Sequence, residues 1–347
     1  MSAQVFWAFM AASALAAPAP PERLERQVAA MGTRLVLAIE AGSRASALEA
    51  SDRAIEAVHA AEKRLSSWRE DSEISTLNRS EPGTEVPISP RLERDLGAAF
   101  ACARLTERSF DPAIGPLVAA WDLRGKGRVP SAAEIDEARR ASDVSQFELK
   151  PGRILRRSSA AKLEEGGFGK GAGLDDAAAA LKASGVRSAM LDFGGQVLTL
   201  GEGEREIRIA SPAKRDEVLL TLKTREGSVS TSGNSEHGLS VRGRRVGHIV
   251  DPKTGKPASF DGSVTAIAPT GIEADCLSTG LYVMGPGRGL EFVRERGAAG
   301  KVEAVFVSRA RRGWLAQASC GLKGKLKPQG AAVRIVFDCP TKPGEAP

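Results

Sequence analysis

Three segments of this 347-residue chain hold residue types that do chemistry at useful spacings. In GIEADCLSTGLYVMG, Asp275 and Thr279 stand four apart on an expected helix and so share a face. A carboxylate beside a hydroxyl suits Mg²⁺, a hard ion that keeps waters and bridges to phosphate oxygens. The alternative is an acidic first-turn residue beside a packing threonine. In GGFGKGAGLDD, residues 166–176, glycines and Lys170 lead into a helix. Glycine lets backbone N–H groups approach an anion, and a helix start favours negative charge. The P-loop pattern fails, because Glu164 and Gly171 stand where glycine and Ser or Thr are needed. No G-x-G-x-x-G register follows a hydrophobic strand either. By itself this loop is a phosphate site or a glycine-rich turn with a solvated lysine. In GHIVDPKTGKP, His248 precedes a turn and is either a general base or a structural histidine. The other two histidines, His59 on a charged helix and His237 in a polar turn, read as surface residues.

Other chemistries find no support. There is no G-x-S-x-G elbow and no H-E-x-x-H. Glu164 and Glu165 alternate faces if extended, which does not make a glycosidase pair. The cysteines, Cys102, Cys276, Cys320 and Cys339, include no C-x-x-C pair, which disfavours a zinc cage or redox dithiol. Cys102 lies on a helical apolar face and reads as core. Cys320 and Cys339 flank a hairpin-like segment and are expected to pair in an oxidising compartment, although four cysteines permit three connectivities. Net charge is +6, but aromatics are only 5% and no basic stripe interleaves with them. A nucleic-acid partner is therefore not expected.

These residues need a scaffold. With 42% hydrophobic and 27% charged residues, the chain can build one large domain or two lobes. Residues 1–19 form an uncharged apolar run ending in small residues, with Ala14-Leu15-Ala16 as an A-x-A site, and read as a signal peptide cleaved near Ala17. No basic residue precedes the run. Membrane attachment is expected only if this segment stays uncleaved, and no later segment is long and apolar enough to span a bilayer. A strand is expected over 27–40. A helix over 45–65 has Leu48, Ile55, Val58 and Leu65 at helical spacing. Ser89-Pro90 opens a helix with the face Leu92, Leu96, Phe100 and Ala103, and Ser131 with Glu134 opens another. From Phe147 short alternating runs predict strands, near 146–150, 152–157, 188–193, 205–211, 217–223, 227–232, 247–251, 301–307 and 331–337. Helices are expected near 174–184, ended by Gly185, and near 273–284 and 290–296. The fold class is α+β, with mixed, mainly antiparallel sheets and packed helices.

Taken in order, the segments resemble the FAD:protein FMN transferases, the ApbE family. AMGTRLVL, SSWREDSEISTLN, SFDPAIGPLVAAW, LEEGGFGKGAGLD, LDFGGQV, STSGNSE, HIVDPKTGKP and EADCLSTGLYVMG follow the family's succession from about residue 30 to 285. Two departures are Ala113 at a hydroxyl position and Glu164 where the family usually has Asp. The resemblance implies a two-lobed domain over 24–310, leaving 311–347 as a β-rich extension of unknown role. It implies Mg²⁺-dependent transfer of FMN from FAD to a Thr or Ser of a carrier protein, with release of AMP. Alternatives in the same site are an FAD pyrophosphatase and a flavin-binding protein without turnover. By position, Met31, Trp68, Phe110, Asp111, Glu164, Lys170 and Ile249 are the flavin-contacting candidates. Asp275, Thr279 and the Gly167 carbonyl are the metal candidates. His248 and Asp275 are the catalytic candidates, His248 as the base for the incoming hydroxyl. With its leader, the protein is expected to be exported, in the periplasm or on the outer face of the inner membrane.

Overall fold

The computed structural model describes residues 22–233, 239–241, 244–296, 302–330 and 332–340. The expected leader and His237 lie outside the described residues.

A nine-stranded sheet forms the centre. Its strands are β1 (Glu22–Ala30), β2 (Thr33–Ala41), β3 (Ser188–Phe193), β4 (Gln196–Gly201), β5 (Gly227–Gly233), β6 (Gly262–Ala268), β7 (Glu303–Arg309), β8 (Trp314–Ser319) and β9 (Val333–Asp338). Their order in space is their order in the chain. Every pair is antiparallel except β8–β9. Seven helices are described: α1 (Arg44–Leu65), α2 (Glu73–Arg79), α3 (Pro90–Leu105), α4 (Gly115–Ala120), α5 (Ala132–Ala141), α6 (Gly169–Ala183) and α7 (Gly271–Arg296).

Both faces of the sheet are covered. On one face α1 and α6 meet β2 and β3 through Leu35, Leu37, Ile39, Val58 and Leu181. On the same side α3 and α7 cover β6 and β7 through Leu96, Leu277, Tyr282, Val264 and Phe306. The opposite face buries Val229, Val305, Val307 and Trp314 against a three-stranded sheet of Arg205–Ala210, Val218–Thr224 and Leu326–Pro328. β7 sends Ala304 and Phe306 one way and Val305 and Val307 the other. A strand buried on both faces reads as a continuous apolar run.

Several expectations are refined. The single strand over 27–40 is a hairpin, since Ala30 pairs with Thr33. Its two-residue turn puts Met31 at φ 44° and Gly32 at φ 69°. Two positive φ values match the twist of the flanking strands. Glycine accepts this freely, whereas Met31 adopts it against its own Cβ. Leu48 is 40% exposed, so the buried face of α1 is set by Ala47, Ala50, Ala54, Val58, Ala61 and Leu65. α6 starts at Gly169 rather than 174, so the glycine-rich segment is itself the first turn. The two helices near 273–296 run together as α7, broken at Gly285 (φ 72°, ψ 174°) before Pro286.

Cys102 is buried as expected but also bonded to Cys276, tying α3 to α7. Cys320–Cys339 is bonded as expected. The chain between them is not a hairpin: β8 and β9 are parallel, and Leu326–Pro328 crosses to the smaller sheet. Residues after 310 thus supply two strands of the central sheet.

Candidate active site

A cleft of about 1280 Å³ collects residues from the β1–β2 turn, the β3–β4 turn, β5, the 248–252 segment and the starts of α6 and α7. Met31, Trp68, Phe110, Asp111, Glu164, Gly167, Lys170, His248, Ile249, Asp275 and Thr279 all line it. Sequence separations of up to 248 residues, Met31 to Thr279, are closed by the sheet order.

Glycines let α6 and α7 start in contact. A Cβ on Gly171 would overlap the Gly271 carbonyl, and one on Gly271 would overlap Gly171. The backbone N–H of Gly171 therefore reaches Asp275 and donates to Oδ2 at 3.1 Å. Lys170 Nζ lies 3.7 Å from Oδ1 of the same carboxylate. Asp175 fixes the start of α7, accepting from Gly271 N at 2.6 Å and Ile272 N at 3.0 Å. Burial pushes its carboxyl up to about 6 against those two donors. Thr279, one turn after Asp275, donates its hydroxyl to the Asp275 carbonyl at 3.3 Å. Gly167 is wedged between Thr279 and Phe110: a Cβ there would be 3.2 Å from the Thr279 hydroxyl and 2.9 Å from the Phe110 ring.

This wall suits a hard cation. Asp275 is 4% exposed, the Thr279 hydroxyl lies one turn on, and Gly167 packs beside that hydroxyl, so the wall offers carboxylate, hydroxyl and backbone carbonyl oxygens. Among the described residues no three His, Cys, Asp or Glu gather as a metal cage. A cation here fits only with water and ligand phosphate completing its shell, which is how Mg²⁺ is usually held.

A second cluster involves Glu164. Glu164 pairs with Arg124, and Ser67 bonds both Glu165 and Glu164, the latter at 3.2 Å. Arg124 also donates to the Ser67 carbonyl at 3.0 Å and lies 4.5 Å over the Trp68 ring, which is 64% exposed. Burial and the adjacent Glu165 charge outweigh Arg124, and the Glu164 carboxyl is pushed up to about 7. Ser67 and Arg124 escaped the sequence reading, and Glu165 entered it only as a rejected glycosidase partner of Glu164. No local spacing links Arg124 to residues 40 and 57 positions away; the adjacent carboxylate at 165 was the only signal.

Phe110 is buried, with its ring against Gly167. Asp111 beside it turns inward. One oxygen accepts from Ala113 N at 2.9 Å, the other from Arg108 Nε at 2.7 Å and Val144 N at 3.2 Å. Burial raises this carboxyl, opposed first by Arg108. Its evident work is to hold the turn that presents Phe110. His248 is half-buried and Ile249 buried. Their segment is anchored by Ala258 N donating to the Ile249 carbonyl at 2.9 Å, and by Trp121 Nε1 donating to the Gly255 carbonyl at 2.8 Å.

The ApbE family model matches residues 31–306, most of the chain and every residue of the cleft described above. The chain belongs to the ApbE family. Among its ApbE relatives, the FAD:protein FMN transferase of Salmonella typhimurium is 28% identical over 248 residues, 68% of this chain and 71% of its own. That of Haemophilus influenzae is 27% identical over 310 residues, 84% of this chain and 88% of its own. The solved ApbE protein of Thermotoga maritima superposes with a TM-score of 0.75 at 27% identity, covering 82% of this chain and 94% of that one. The flavin transferase ApbE of Vibrio cholerae shares the fold, with a TM-score of 0.74 at 24% identity over 88% of this chain and 100% of that one.

Proposed function

We propose that this chain transfers FMN from FAD to a Thr or Ser hydroxyl of a carrier protein and releases AMP. The observation that carries this reading is the crossing of α6 and α7, which gathers Lys170, Asp275, Thr279 and Gly167 on one cleft wall. The start of α6 and Lys170 favour a pyrophosphate there. Asp275, Thr279 and the Gly167 carbonyl would hold Mg²⁺, which when bound offsets charge on the pyrophosphate oxygens.

The chain's own residues do the rest. Lys170 stabilises negative charge that shifts toward the leaving phosphate. Met31, Phe110 and Trp68 offer apolar and aromatic surface to the flavin ring. His248 takes the proton of the carrier hydroxyl as its oxygen bonds to the FMN-side phosphorus. The P–O bond to the AMP phosphate breaks, and AMP leaves with that electron pair.

Export belongs to the same reading. The composition of residues 1–19 supports a cleaved leader, and two disulfides suit an oxidising compartment.

Incubation with FAD, Mg²⁺ and exported proteins of the native host tests the proposal. In-gel flavin fluorescence on a carrier, absent without Mg²⁺, is the expected result. Free FMN alone would instead mean hydrolysis, and intact bound FAD would mean a flavin-binding protein.

A further inference from the structure

Flavin transfer needs a protein hydroxyl inside the cleft, and the inference below rests on that reading. β5 pairs with β6 through Ser228–Gly233. On its other side it pairs with β4 only through Gly227–Val229. The reason is that β4 starts at Gln196, just after the Gly194–Gly195 turn. Ser230 stands opposite Gln196, the first residue of β4, and Thr231–Gly233 runs past the end of that neighbour, with no strand on that side among the described residues. Ser230–Gly233 all line the cleft, and Thr231 is exposed.

In an antiparallel pair, alternate residues turn their N–H and C=O away from the partner strand. This stretch thus presents backbone donors and acceptors on its open side. Proteins usually blunt such an edge with charge, proline or a covering element. Here the residues are Thr, Ser and Gly, which leave the backbone approachable. The edge is also wired to the candidate metal helix. Ser278 Oγ lies 2.8 Å from Ser232 Oγ and 3.3 Å from Ser230 Oγ, and donates to the Asp275 carbonyl at 2.8 Å. A chain laid on this edge would run about 4.8 Å from β5, alongside the wall that bears Asp275 and Thr279.

We propose that the carrier docks by strand addition: the segment bearing the acceptor hydroxyl extends along Thr231–Gly233 and pairs with its backbone. The edge offers hydrogen bonds and little apolar surface, which suits an extended peptide better than the apolar face of a helix.

The test uses the full enzyme. Exported host proteins are labelled with FAD and Mg²⁺, the flavin-bearing residue is mapped by mass spectrometry, and a synthetic peptide spanning it becomes the probe. Single backbone N-methyl groups are moved along the peptide. Labelling efficiency should fall at every second position, by roughly five- to tenfold for each lost hydrogen bond, and hold at the positions between. A peptide with the acceptor residue replaced by Val should slow amide exchange within 231–233. Labelling with no alternation, or protection confined to the open edge of Arg205–Ala210, would overturn strand addition at β5 while leaving the transferase reading intact. Absence of any labelled protein would overturn both.

Discussion

At Glu164, burial and the Glu165 charge outweigh the Arg124 guanidinium, so the carboxyl is pushed up from its ordinary range to about 7. A carboxyl raised in the folded state contributes stability that is fully present below its ordinary range and is lost as pH rises through about 7. Glu164→Gln imitates the protonated form. It should melt with wild type in mild acid and above it on the alkaline side; equal melting at both ends would show that Arg124 neutralises the charge fully. Asp275 and His248 separate metal from base. Asp275→Ala should lower Mg²⁺ affinity and cut carrier labelling by orders of magnitude, while His248→Ala should keep FAD binding and lose about 10²–10⁴-fold in rate. Titrating Mg²⁺ and timing label incorporation for both variants checks the pair, and a wild-type rate for His248→Ala would refute the base assignment. Asp275, Thr279 and Lys170 were legible because helical spacing and neighbouring glycines are local signals. Arg124 and Ser67 were not, because their partner Glu164 meets them only through the tertiary fold.

The crossing of α6 and α7 is the element on which the site depends. Gly171→Ala would push a methyl into the Gly271 carbonyl and force the two helix starts apart. Overpacking of this kind costs about 1–3 kcal/mol. The variant should also lose Mg²⁺ affinity, since the Gly171 N–H no longer orients Asp275. Chemical denaturation alongside Mg²⁺ titration measures both, and unchanged values would mean that the crossing is slack. Helices with side-chain caps were readable, since Ser89 and the Ser131–Glu134 box are signals within one turn. β4 and β6 were not: QVLTLG and GSVTAIA are buried on both faces and lack the alternation that marks a half-exposed strand. The hairpin at Met31 was hidden for another reason, since a non-glycine residue with positive φ gives no turn signal.

Across the whole molecule, disulfides close two loops of very different length. Cys102–Cys276 spans 174 residues and Cys320–Cys339 spans 19. By chain entropy they contribute about 5 and about 3 kcal/mol respectively. Replacing the first pair with serine should therefore lower the unfolding midpoint more, and should also free α7 beside Asp275; an equal loss for both pairs would contradict this. The central sheet is antiparallel enough for its class to be read from sequence. The parallel β8–β9 pairing was not readable, because it requires a crossover through the smaller sheet that leaves no local pattern. If the leader reading holds, protein secreted by the native host should begin near Ala17 by intact mass, whereas a full-length cytoplasmic product would oppose it.

The most direct test of the whole account is a product ledger from one reaction: AMP, free FMN and carrier-bound FMN measured together with purified enzyme, FAD, Mg²⁺ and the mapped carrier. Attack by a carrier oxygen on the FMN-side phosphorus predicts one AMP for each carrier-bound FMN, with little free FMN. AMP matched by free FMN, with the carrier unmodified, would contradict it.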